Sequence, residues 1–174
     1  MKKILILSVF LTFAFNAFGS ITKSDVLSAQ KAWGDGIVHI GEVFEAKGDY
    51  RAAALDHILN SYDYDNDGTV LFKPTLAADI PFRPTVEGAL SYFVGGNASY
   101  PEDKGFAIKP WTNVRFENHG MIFNDNLAVA MGHYYFTDLS GVETKVEYTL
   151  GFIKKSDGTI KINIQDSSLP FGSN

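Results

Sequence analysis

Between Leu127 and Phe136 the chain alternates between two unlike sets of side chains. Leu127, Val129, Met131, His133 and Tyr135 fall on one side, and Ala128, Ala130, Gly132, Tyr134 and Phe136 on the other. A period of two sustained over such a run belongs to a strand with two different environments, not to a helix. Similar runs follow at Val142 to Ile153 and Thr159 to Gln165, with Ser156-Asp157-Gly158 as the turn of a hairpin between them. Phe106 to Asn118, long and mixed, precedes them. From Gly105 onward the chain therefore reads as consecutive antiparallel strands.

The segment before Gly105 has a different period. Thr22 or Ser24 can cap a helix whose apolar positions are Val26, Leu27, Ala29, Ala32 and Trp33, continuing through Ile37, Ile40, Val43 and Phe44. Gly34, Gly36 and Gly41 each cost roughly 1 kcal/mol relative to alanine inside a helix, which points to close packing or a break. A second helix carries Ala53, Leu55, Ile58, Leu59 and Tyr62 on one face. Thr69 to Lys73 reads as a buried strand, and Pro84 as the first position of a third helix that Gly95-Gly96 closes. Helices first and strands last predict an α+β fold, with the helices packed on one face of a curved antiparallel sheet.

The first residues fall outside this pattern. Lys2 and Lys3 precede the apolar run Ile4 to Phe15, and the small residues Ala17 and Gly19 follow. This is the layout of a cleaved signal peptide, residues 1–19, and the run is shorter than the roughly 20 residues of a membrane span. A periplasmic or secreted location and a single domain over 20–174 are expected, with no membrane partner after cleavage. The formal charge is −5; losing two lysines leaves 13 basic against 20 acidic residues, or −7. An acidic chain with no basic face is a poor nucleic-acid partner. It has no cysteine, which excludes disulfides, thiolate metal sites and a cysteine nucleophile.

Several spaced blocks carry a resemblance. Val70-Leu71-Phe72-Lys73-Pro74-Thr75-Leu76, followed by Arg83 and Ser91-Tyr92-Phe93, is similar to a "VLxPT…R…YF" block. Gly132-His133-Tyr134-Tyr135-Phe136 is similar to a "GxYxF" strand, and Ser167-Ser168-Leu169-Pro170 to the end of an "HHSS-x-P" motif. With the order of elements, these resemble the cone-shaped NTF2-like (SnoaL-like) superfamily. Within it they resemble the iota-class carbonic anhydrases and the relatives of the CaM-kinase II association domain. The resemblance implies a pocket between helices and sheet, and a metal-free site that holds bicarbonate with a Thr, a Tyr, a His and a Ser. Carried over, Thr75, Tyr92 and Ser168 match. Where the family has two histidines this chain has Gln165-Asp166, so the histidine position falls on Asp166. Proteins of this kind also carry a phosphoribosyl-AMP cyclohydrolase label; that chemistry uses cysteine-bound zinc, which this chain cannot supply.

The expected site is then Thr75, Tyr92 and Ser168 orienting water and bicarbonate, with Asp166 or His133 taking the proton. A desolvated Asp166 would gain basicity; the alternative is a solvated acid at a strand end. Arg83 can clamp an anion or pair with Glu87 four residues on. Trp111 and Tyr135 are candidate ligand-binding walls, with core packing as the alternative. His39, His57, His119 and His133 lack metal-ligand spacing, and no nucleotide fingerprint occurs, so no metal and no cofactor are expected. Asp63, Asp65, Asp67 and Gly68 match the start of a calcium loop, but position twelve is Pro74, so a turn is expected. Two functions remain open. One is a carbonic-anhydrase-like lyase acting on a small anion. The other is a non-catalytic ligand-binding or assembly domain, a homodimer or higher homo-oligomer.

Overall fold

The computed structural model describes residues 19–64 and 69–172. The expected signal segment lies outside them apart from Gly19, as do Asp65, Asp67 and Gly68 of the calcium-like turn. The described carboxylate of that turn, Asp63, accepts a hydrogen bond from Lys155 Nζ at 2.5 Å.

Helix α1 runs Lys23–Glu45. Thr22 caps it: its hydroxyl accepts from Asp25 N at 3.2 Å, and the Asp25 carboxylate accepts from Thr22 N at 2.9 Å. Val26, Gln30, Trp33, Ile37 and Ile40 form its buried stripe. The glycines mark close packing, since the helix continues unbroken. A Cβ at Gly34 would lie 3.1 Å from the Val114 carbonyl oxygen, and one at Gly36 would meet the His57 ring. Helix α2, Tyr50–Ser61, is capped by Asp49 and ends at Tyr62, which the backbone ties to the sheet by a bridge to Ile162. Strand β1, Leu71–Lys73, is shorter than expected. Helix α3, Val86–Val94, starts from Thr85, whose hydroxyl accepts from Gly88 N, so Pro84 precedes the cap instead of opening the helix.

Strands β2 (Trp111–Asn124), β3 (Leu127–Asp138), β4 (Glu143–Lys154) and β5 (Ile160–Ser168) form an antiparallel meander. The β2 strand begins at Trp111; Phe106 belongs to the preceding loop. The order is β1-β5-β4-β3-β2, and β1 pairs with β5 in parallel, so the curved, unclosed sheet is mixed instead of purely antiparallel. The Ala128 side of β3 faces the helices and is buried; the Leu127 side faces outward. Phe136, Phe152, Leu150 and Ile162 pack there against Ile37, Ile40 and Ile58. Each such side chain contributes roughly 1.5–3 kcal/mol by leaving water.

Three irregularities interrupt the ladders: one at Thr112, next to the start of β2, and two bulges that each lie opposite a glycine. In β2, His119 is the extra residue between the pairs Asn118↔Gly132 and Gly120↔Met131. A Cβ on Gly132 would collide with the Glu117 carbonyl. In β5, Asn163 is the extra residue between Phe152↔Ile162 and Gly151↔Ile164, and a Cβ on Gly151 would sit 2.7 Å from Asn163 Oδ1. The second bulge changes which residues of β5 face inward.

Candidate functional site

On the inner face of the sheet, Tyr134 of β3 and Gln165 and Ser167 of β5 point toward Trp33 of α1 and Tyr92 and Phe93 of α3. Pro74 and Thr75, just past β1, close one side. The enclosed space, about 10 Å³, holds about one water molecule. Thr75, Tyr92 and Phe106 also line a larger outer cavity of about 400 Å³, walled by Trp111, Phe136, Val146, Leu76 and Leu169. Lys104 and Lys109 lie in that outer cavity, with Lys109 Nζ 4.4 Å above the Trp111 ring.

The inner pocket is polar but uncharged. Trp33 Nε1 donates to the Tyr62 hydroxyl at 2.9 Å, and that hydroxyl donates to Gln165 Oε1 at 2.5 Å. Burial pushes the Tyr134 hydroxyl up to about 12, partly offset by its polar neighbours Ser167, Gln165 and Thr75. Burial, and next the neighbouring Tyr134, raise Tyr92 further, against the backbone of Leu76 and the hydroxyl of Thr75. Burial likewise holds Tyr62 well above the usual tyrosine range. At neutral pH all three are hydroxyls able to donate. Among the described residues, no carboxylate, histidine or lysine lines this inner pocket.

Of the residues expected at the site, Thr75, Tyr92 and Trp111 meet at this pair of cavities. Asp166, Ser168 and His133 do not. They line a separate groove on the outer face of the sheet, with His119, Glu147 and Met131. There Asp166 pairs with Lys73 Nζ at 3.1 Å with 64% of its side chain exposed, and Ser168 Oγ donates to Glu147 at 3.4 Å. Asp166 is thus the solvated acid at a strand end. Tyr135 also faces outward, beneath the Arg115 guanidinium at 3.6 Å. Arg83 is fully buried, and neither reading of it holds: Nη2 donates to Asp103 Oδ1 at 2.8 Å, while Glu87 accepts from Asn97. Asp103 also accepts from Ser91 Oγ at 2.6 Å, so this group ties the loop after α3 to the α3 helix.

The bulge at Asn163 is the reason that Asp166 and Ser168 of β5 face outward, whereas His133 lies on the Leu127 side of β3, as its alternation places it. Extending the alternation of Ile160 and Ile162 puts Asp166 and Ser168 on the inner face; one extra residue turns Gln165 and Ser167 inward instead. Gln165, Ser167, Tyr134 and Trp33 are the pocket groups that sequence reasoning missed. Gly151, opposite the bulge, was the available signal. Among the described residues no three His, Asp or Glu side chains cluster so as to hold a metal ion.

Residues 24–169 match the family described as metal-independent carbonic anhydrase. A protein of that description from Nostoc sp. (strain PCC 7120) is 44% identical over 155 residues, covering 87% of this chain and 75% of its own. The crystal structure of an iota-carbonic anhydrase from a cyanobacterium, complexed with bicarbonate, is 42% identical with a TM-score of 0.86, covering 94% of this chain and all of that one. A calcium/calmodulin-dependent protein kinase II association domain structure from Xanthomonas campestris is 19% identical with a TM-score of 0.55 over 91% of this chain and 99% of its own, a likeness of fold alone. A dehydratase-like member of the NTF2-like family from Streptomyces avermitilis is similar at 13% identity and a TM-score of 0.52, over 86% and 96% of the two chains.

Proposed function

The chain belongs to the metal-independent carbonic anhydrase family, and on that premise we propose that it catalyses the reversible hydration of CO2 where the inner pocket formed by Thr75, Tyr92, Tyr134, Gln165 and Ser167 meets the larger cavity that Thr75 and Tyr92 also line, the inner space taking the water and the outer one the CO2. The observation that carries the reading is the convergence of these five uncharged donors on one buried pocket, in a chain 42% identical to a bicarbonate-bound relative.

Water attacks the carbon of CO2, one C=O electron pair moves onto oxygen, and the water gives up a proton. The product is an anion with three oxygens. Hydroxyl and amide donors in a water-poor pocket stabilise the charge that develops on those oxygens. Tyr92 and Tyr134 stay protonated at neutral pH, so they donate and do not repel the product. Because no carboxylate or histidine among the described residues lines the inner pocket, the proton leaves through the outer cavity to water or buffer. The Phe106, Trp111 and Phe136 walls of that cavity suit the approach of neutral CO2.

Stopped-flow CO2 hydration by the mature chain, with chelator present, tests the proposal. The expected result is a rate above that of buffer that falls at least about tenfold in Thr75→Val. A wild-type rate equal to buffer refutes it.

A second reading, self-association, is favoured by Ile122, Leu127, Val129 and Met131, which lie exposed on the outer face of β2 and β3. Light scattering at micromolar concentration should then give a dimer or larger; a monomer refutes it. Export through residues 1–19 belongs to the same proposal, and the N-terminal sequence of the secreted protein checks it.

A further inference from the structure

The hydrogen bonds behind the pocket fix more than its shape. Trp33 Nε1 carries a hydrogen and no acceptor, so in its 2.9 Å contact with Tyr62 it can only donate. The Tyr62 oxygen accepts there, which leaves its single hydrogen for the 2.5 Å contact with Gln165. Whatever atom of Gln165 lies there must accept, so it is Oε1. The amide nitrogen, with its two hydrogens, is thereby turned away from Tyr62, toward the pocket that Gln165 lines with the Tyr134 hydroxyl.

Resting on the function proposed above, we infer that Trp33 and Tyr62 are positioning residues that lock the Gln165 amide with its NH2 group toward the reacting oxygens, making that wall a donor and selecting a trigonal oxyanion as ligand. Neither residue needs to touch the ligand through its polar atom. A glutamine free to flip would present Oε1 half of the time and repel an anion. The lock removes that state, and it needs no formal charge. The Tyr62 backbone keeps the relay in place, since the cap residue of α2 is bridged to Ile162 of β5, three residues before Gln165. The relay is dry: Trp33, Tyr62 and Gln165 are all nearly fully buried, so water does not compete for the same atoms.

Two measurements test this. In wild-type protein labelled with 15N, nuclear Overhauser contacts from the Gln165 side-chain NH2 to the Tyr134 ring are expected. Contacts to the Tyr62 ring in their place would overturn the assignment, with no variant needed. In Tyr62→Phe the ring remains and the lock is gone. Bicarbonate affinity, followed by titration of the 15N spectrum at pH 8, should fall at least about twofold, the loss that a half-populated wrong amide orientation imposes. Gln165→Glu, which retains an acceptor for Tyr62 but presents a carboxylate oxygen to the pocket, should abolish binding of bicarbonate and of nitrate alike. Unchanged affinity in Tyr62→Phe, or retained nitrate binding in Gln165→Glu, refutes the inference. Failure of the wild-type protein to bind bicarbonate or hydrate CO2 would instead defeat the functional proposal, so the two failures are distinguishable.

Discussion

His57 should make the fold sensitive to acid in a way that one substitution removes. The imidazole is buried between Trp33 and Phe93, with ring centroids 6.1 and 5.8 Å away, and Gly36 gives it room. Its Nδ1 is 3.5 Å from Ser61 Oγ, and Nε2 has no hydrogen-bond partner among the described residues. Burial lowers its pKa from an ordinary 6.5 to about 4. Because the folded value is depressed, the unfolded chain binds the proton first. Above pH 6.5 neither state takes it, and stability is unaffected. Between pH 6.5 and 4 only the unfolded state does, so stability falls as pH falls; below 4 both are protonated and the loss levels off. At 1.36 kcal/mol per pH unit the full loss is about 3 kcal/mol, of which about 2.5 is reached by pH 4.5. That is a large part of the 5–15 kcal/mol typical of a domain. Urea denaturation of wild type and His57→Gln at pH 7.5, 6.5, 5.5 and 4.5 would measure it. Both proteins share the titration of their carboxylates, so the difference between them isolates His57. The variant should start less stable at pH 7.5 and lose about 2–3 kcal/mol less on acidification. Parallel curves would refute the argument.

Other outcomes follow from the packing. Ser167→Ala should lower kcat/KM for CO2 about tenfold or more, and Ser168→Ala by less than about twofold, as measured by stopped flow. Gly132→Ala, whose Cβ would run into the Glu117 carbonyl, should cost about 2 kcal/mol or more in thermal melts. Arg83→Met strands the Asp103 carboxylate and should cost about 3–5 kcal/mol in urea, whereas Asp103→Asn should cost less because Ser91 can still donate to it.

The helices and the two faces of β3 were legible because each follows a local rule. The Thr22 cap with Asp25 three residues on, and the alternation of Leu127 to Phe136, need no knowledge of the rest of the chain. The pocket was half legible. Thr75 follows a buried strand and Tyr92 sits in a helix whose apolar side is evident. Gln165 and Ser167 were missed because the motif was carried over onto Asp166 and Ser168, and the single inserted residue that turns Gln165 and Ser167 inward instead, Asn163, is betrayed only by the partner strand's Gly151. Arg83 was misread for a different reason. Its partner Asp103 lies 20 residues away in a loop, a distance no helical spacing rule reaches. The relay from Trp33 to Gln165 joins residues over a hundred positions apart through Tyr62, so it exists only once the chain is folded.

Tyr62 also makes the pocket audible from outside. It is held at two points by one strand: its side chain reaches Gln165, and at its backbone the bridge to Ile162 is secured by the amide of Asp63, which donates to the Ile162 carbonyl at 3.0 Å. Fraying of the end of α2 must break both holds together. A ligand that draws the Gln165 NH2 group inward strengthens one hold and so stabilises the other by linkage. The exchange rate of the Asp63 amide proton with solvent thus becomes a remote gauge of occupancy, slowing as the pocket fills, although that amide touches nothing in the pocket.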